Sequence, residues 1–236
     1  MPMSATSNTA APTAAPIHPG LAVLVLALLL GLQPVTTDLY LPALPTIKAQ
    51  LQASMAQSQL TLTALLLAFG CSQLVWGPLS DRWGRRPILL IGLVAYVLAA
   101  LGCALAQSME ALIFWRTVQG AAMGAGVMGA RAVVRDLYAP VEGAHAMSRA
   151  LTGLGIIACL SPPLGGLLAG HLGWRATMAA LGCFGALALL LILLRFEETL
   201  PRPNPLALRS THLLRTWAQI LRHPSFLAYS ATTTFT

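Results

Sequence analysis

Two ionisable side chains, Asp38 and Arg116, stand inside long apolar runs. Such a group at bilayer depth costs roughly 3 kcal/mol or more, and faces a cavity or a partner rather than lipid. Asp38 sits in Pro34–Val35–Thr36–Thr37–Asp38–Leu39–Tyr40–Leu41–Pro42, near the end of the first run, and Arg116 a few residues into the fourth. At 1.5 Å per residue, both lie roughly 4–8 Å inside the same boundary, so one cavity could hold them. Pairing of opposite charges favours the ionised carboxylate, and separation favours its protonation. That is the chemistry of a proton switch. The plainer readings are an interfacial Asp38 at a frayed helix end and an Arg116 that snorkels to the outer headgroups. Pro34 and Pro42 favour the functional reading, because prolines interrupt spanning helices where substrate cavities lie.

A second charged constellation is Gly77–Pro78–Leu79–Ser80–Asp81–Arg82–Trp83–Gly84–Arg85–Arg86–Pro87, read as a short loop. Gly77 and Gly84 permit close approach and a tight turn. Asp81 can accept from arginines or face a helix N-terminus. Any inner loop would carry basic residues, but that alone does not account for this spacing.

Other chemistries are excluded. Cys71, Cys103, Cys159 and Cys183 lie in apolar runs with no zinc or disulfide spacing. The five histidines form no metal pair, so neither metal nor cofactor is expected. No Gly-x-Ser-x-Gly elbow and no phosphate-cradling Gly-x-x-x-x-Gly-Lys loop occurs. Gly124-x-Gly126-x-x-Gly129 fits a dinucleotide string but has no strand before it. A close-packing helix face is the better reading.

These residues need helices long enough to cross a bilayer. The chain is 56% hydrophobic and only 9% charged, against about 25% charged in soluble domains. A span needs about 20 apolar residues, and six stretches qualify: 21–41, 57–76, 87–106, 111–132, 146–170 and 174–194. Leu and Ala outnumber β-branched types, so the fold class is all-α membrane protein. With a cytoplasmic N-terminus, Arg82, Arg85, Arg86, Arg131, Arg135 and Arg149 fall inside, with Arg195, Arg202, Arg209, Arg215 and Arg222 after the last span. Only Lys48 and Arg175 fall outside, as the positive-inside rule requires. The net charge of +7 is spread over short loops without a continuous basic face, which excludes nucleic acid as a partner. Residues 1–20, without Lys or Arg, read as a disordered cytoplasmic tail rather than a signal peptide. The expected organisation is this tail, a six-helix bundle over 21–194, a cytoplasmic linker over 195–223, and at 224–236 the start of a truncated seventh span.

The string Gly77 to Arg86 resembles the signature loop of the major facilitator superfamily, and it falls between spans two and three as it does there. Arg116–Thr117–Val118–Gln119–Gly120 resembles that superfamily's span-four element associated with proton coupling. Gly153 with Ser161–Pro162–Pro163–Leu164–Gly165–Gly166 resembles its antiporter motif, although the family pattern has glycine where this chain has Ile157 and Ser161. Asp38–Leu39–Tyr40–Leu41–Pro42–Ala43–Leu44–Pro45 resembles the span-one signature of Bcr/CflA multidrug resistance transporters.

The resemblance implies the N-terminal half of a twelve-span drug:proton antiporter of the bacterial inner membrane, each half an inverted three-plus-three repeat. Asp38, Tyr40, Arg116 and Gln119 would line the proton and substrate cavity. Gly77, Asp81, Arg82, Gly84, Arg85 and Arg86 would latch the inner gate. The partners would be protons, a small-molecule drug, the lipid bilayer, and a missing C-terminal half or a second half-transporter. A metabolite or dipeptide exporter of the same fold, and a non-transporting half-protein, stay open.

Overall fold

The computed structural model describes residues 19–200, and the expectations for the tail, most of the linker and the seventh span lie outside them. Six long helices and one short one follow in order: α1 (Pro19–Asp38), a 3-10 turn (Leu41–Ala43), α2 (Leu44–Gln50), α3 (Met55–Trp83), α4 (Arg85–Leu105), α5 (Met109–Leu137), α6 (Pro140–His171) and α7 (Trp174–Arg195). Each expected span falls largely inside one long helix. Ser54 opens α3 with a reciprocal capping box to Gln57, and the Ser108 hydroxyl accepts from the Ala111 amide at the start of α5. These caps supply partners for amides that the first helical turn leaves unpaired.

One sequence expectation needs correction. Gly77–Trp83 is not a loop. It forms the last turns of α3 with Pro78 inside the helix, and the reversal is made at Gly84 alone, at φ +103°. Charged residues at a membrane surface can continue a helix, so loss of hydropathy marked the membrane boundary and not the helix end. Helix α5 differs from the other long helices in composition. The segments that are both long and apolar enough to cross a membrane contain α1, α3, α4, α6 and α7. Helix α5 is as long as α3, but it carries Glu110, Arg116, Gln119, Arg131, Arg135 and Asp136. It stands at the centre of the bundle, where neighbouring helices replace lipid, so low hydropathy is affordable there.

The packing repeats itself across two triplets of long helices, α1–α3–α4 and α5–α6–α7. Gly120 of α5 lies on the Leu65 backbone of α3, and Gly165 of α6 lies on the Leu39 backbone at the end of α1. A Cβ at either glycine would strike the facing carbonyl. Gly84 joins α3 to α4 and Gly173 joins α6 to α7, both at positive φ, in equivalent places. The Gly124–Gly129 string is packing, as expected: Gly124 meets Ser72 and Trp76 of α3, Gly126 meets Leu32 of α1, and Gly129 meets Leu89 of α4.

Candidate functional site

Helix α1 ends at Asp38, so the Thr36 carbonyl has no partner amide further along the helix. Arg116 fills that position. Its Nη2 donates to the Thr36 carbonyl at 3.2 Å and its Nη1 to Gln119 Oε1 at 2.9 Å, and its guanidinium lies 4.1 Å from the Tyr40 ring centroid. Arg116, Gln119 and Tyr40 are all fully buried. A buried cation here is stabilised by the negative end of α1, by two carbonyl oxygens and by a π face. Snorkelling to headgroups is therefore not what Arg116 does.

Asp38 is only partly buried, and its Oδ1 accepts from Thr37 Oγ1 at 2.9 Å. The pairing expected from its charge is not made: among the described residues Asp38 forms no ion pair with Arg116. The reason is local. The free carbonyl end of α1 reaches the guanidinium first, while Asp38, two residues on, turns toward Thr37.

The antiporter motif lies against this same segment. Gly165 meets Leu39, a Cβ placed on Gly166 would stand 3.9 Å from Pro42 Cβ, and Gly153 meets Ala27 lower on α1. Ser161 Oγ donates to the Ile157 carbonyl at 2.7 Å in the turn that precedes Pro162 and Pro163. Helix α6 thus grips the part of α1 that carries Asp38.

The second centre gathers at the opposite end of the bundle. Arg85 is 2% exposed; its Nη1 donates to Asp81 Oδ1 at 2.7 Å and to Ser80 Oγ at 3.0 Å, and its Nε to Asp136 Oδ2 at 2.8 Å. Arg135 lies 3.8 Å from Asp81 and 3.9 Å from Asp136. Beyond α7, the Glu198 carboxylate accepts from the Arg85 and Arg86 amides at 2.8 and 3.1 Å, capping α4. A Cβ on Gly84 would collide with that carboxylate. Arg86 also donates to the Leu193 carbonyl at 3.1 Å. Arg82 is exposed and makes no ion pair among the described residues, and Gly77 packs beside Met128.

Several members of these centres had no prominent signal. Asp136 was readable only as the acid beside Arg135, Glu198 as half of an acidic pair after α7, and Thr36, Tyr96 and Thr61 as isolated polar groups in apolar runs. Two open cavities lie away from Arg116. One of about 390 Å³ is lined by Val23, Tyr138, Glu142, His145, Ala146 and Arg149, and one of about 490 Å³ has Arg131 and Arg135 in its wall. Both open at the basic end, and neither reaches Arg116.

The sequence profile of the Major Facilitator Superfamily matches residues 26–236. Multidrug resistance protein D of Escherichia coli (strain K12) is 32% identical over 209 residues, covering 88% of this chain and 52% of that protein. The bicyclomycin resistance protein homolog of Haemophilus influenzae is 30% identical over 213 residues, covering 90% of this chain and 54% of that protein. The chain thus spans about half the length of these relatives. Among solved structures, a bacterial homolog of the human lysosomal transporter Spinster, inward-facing and unoccupied, matches with a TM-score of 0.69 at 20% identity, covering 81% of this chain and 45% of that one. At that identity the likeness concerns the fold.

Proposed function

The chain belongs to the major facilitator superfamily, and from that premise we propose that it forms one six-helix half of a proton-coupled exporter of drugs or other small molecules in a bacterial inner membrane. The names of its relatives, multidrug resistance protein D and a bicyclomycin resistance homolog, support antibiotic-like cargo. The observation that carries the reading is Arg116, buried on the carbonyl end of α1 two residues from Asp38, with no carboxylate paired to it among the described residues.

In this reading Asp38 is the proton carrier. When ionised, it competes with the Thr36 carbonyl for the Arg116 guanidinium and pulls the end of α1 toward α5. When protonated, it releases the arginine to the arrangement seen here. Asp38 and Tyr40 sit on the segment that α6 grips through Gly165 and Gly166, so each proton step is felt at the α1–α6 contact. Drug and proton use one cavity and exclude each other. At the other end, Arg85 with Asp81 and Asp136 latches the inner gate against a partner bundle, which is either the second half of a longer chain or a second copy. The arginine-rich helix ends and the N-terminus face the cytoplasm, and residues 195–223 link this bundle to its partner.

The test uses the complete protein in proteoliposomes, with bicyclomycin and a substrate panel. Asp38→Asn is expected to abolish drug-driven proton flux while the protein stays folded. Undiminished flux in that variant would sink the assignment of Asp38.

A further inference from the structure

We infer that Tyr96, a residue outside the recognised motifs, positions Arg116 by acting through Thr36. Tyr96 stands in the middle of α4 and is fully buried, with its phenol oxygen 2.7 Å from Thr36 Oγ1. The direction of that bond follows from proton counting. The Thr36 hydroxyl donates its single proton back to the Leu32 carbonyl, so Tyr96 is the donor and Thr36 the acceptor. The Thr36 peptide carbonyl in turn accepts from Arg116 Nη2. One residue at the unpaired end of α1 therefore joins α4 to α5.

Tyr96 is braced from behind. Gly185 of α7 lies so close to its ring that a Cβ there would overlap it. The ring cannot retreat, and its hydroxyl is held against α1. A parallel arrangement fixes the other partner of the arginine: Thr61 Oγ1 donates to the Ser58 carbonyl, so Tyr40 is the donor to Thr61 at 2.7 Å. Arg116 thus rests on the carbonyl of a residue whose side chain is held by Tyr96, and on a ring whose hydroxyl is held by Thr61. Its Nε, which has no hydrogen-bond partner among the described residues, is the sensitive reporter of its position.

The alternative is that Tyr96 merely fills space between α4, α1 and α7. Tyr96→Phe separates the two ideas, because the ring and its packing stay and only the donor is lost. The chain is purified in nanodiscs with ¹⁵N-labelled arginine, and the Arg116 Nε–H resonance is identified by its loss in Arg116→Lys. In Tyr96→Phe, solvent exchange of that proton is expected to rise roughly three- to tenfold, the range of one net hydrogen bond, with helicity unchanged. Thr36→Val should reproduce the effect, the double variant should add nothing, and Thr36→Ser should behave as wild type. Wild-type exchange in Tyr96→Phe, or in Thr36→Val if the first variant fails to fold, overturns the proposal.

The functional consequence rests on the proton-coupled reading above and is tested separately in the complete protein. There Tyr96→Phe should shift the pH profile of substrate-driven proton release. Altered exchange with an unaltered pH profile keeps Tyr96 as a positioning residue and removes Arg116 from coupling.

Discussion

At the scale of single residues, the two arginine centres solve one problem in different ways. Arg116 relies on backbone, amide and aromatic partners, so no carboxylate leaves the site when it moves. Arg85 relies on carboxylates of unequal burial: the Asp136 side chain is 9% exposed and that of Asp81 43%. Solvent screens the second pair more than the first. Removing the charge of Asp136 leaves a buried guanidinium with one wet partner, whereas removing that of Asp81 leaves it with a dry one. We expect Asp136→Asn to destabilise the bundle by about 2–4 kcal/mol and Asp81→Asn by less than about 1 kcal/mol, read from reversible unfolding in mixed micelles. Equal losses, or the reverse order, would mean that Asp81 carries the pairing.

At the scale of elements, glycine decides where helices touch. Gly120 and Gly165 lie on facing backbone, whereas a Cβ on Gly155 would meet nothing within 4 Å among the described residues. Gly120→Ala and Gly165→Ala should each cost about 1–3 kcal/mol by forcing a pair of helices apart. Gly155→Ala should be neutral or stabilise by up to about 1 kcal/mol, because alanine is the better helix former. Thermal unfolding of the three variants checks the contrast, and a destabilising Gly155→Ala would argue against the packing described. The sequence made most of this layout readable. Long Leu- and Ala-rich runs can only be spanning helices, and small residues four apart announce close packing. What stayed hidden was relational. The helical course of Gly77–Trp83 depends on continuation beyond the membrane boundary, which hydropathy does not register. The partners of Arg116 were hidden too, because Thr36 contributes a carbonyl, and every residue has one. Charge alone suggested Asp38, but the free end of a helix was the nearer acceptor.

At the scale of the whole molecule, the charges of the bundle are segregated. Arg82, Arg85, Arg86, Arg131, Arg135, Arg149 and Arg195 sit near the helix ends at which α3 meets α4, α5 meets α6, and α7 stops, while Lys48 and Arg175 sit at the other end. Acids do not cancel the bias, because orientation follows the Lys and Arg count in short loops. The two groups also differ in what holds them. The Arg85 side chain is tied down by Asp81 and Asp136, and the Arg85 and Arg86 backbone amides by Glu198, so the basic end is held together by its own carboxylates. At the opposite end, order comes from apolar and aromatic contacts, with Trp174 donating to Gln50 Oε1 at 2.8 Å. An orientation with the arginines outside would place this charge on the translocated face, against the bias that sets topology. On a background with Cys71, Cys103, Cys159 and Cys183 replaced by serine, Lys48→Cys should therefore react with a membrane-impermeant maleimide in intact cells. Arg149→Cys should react only after the membrane is opened. The opposite pattern would invert the bundle and put Asp38 and Arg116 near the cytoplasmic face.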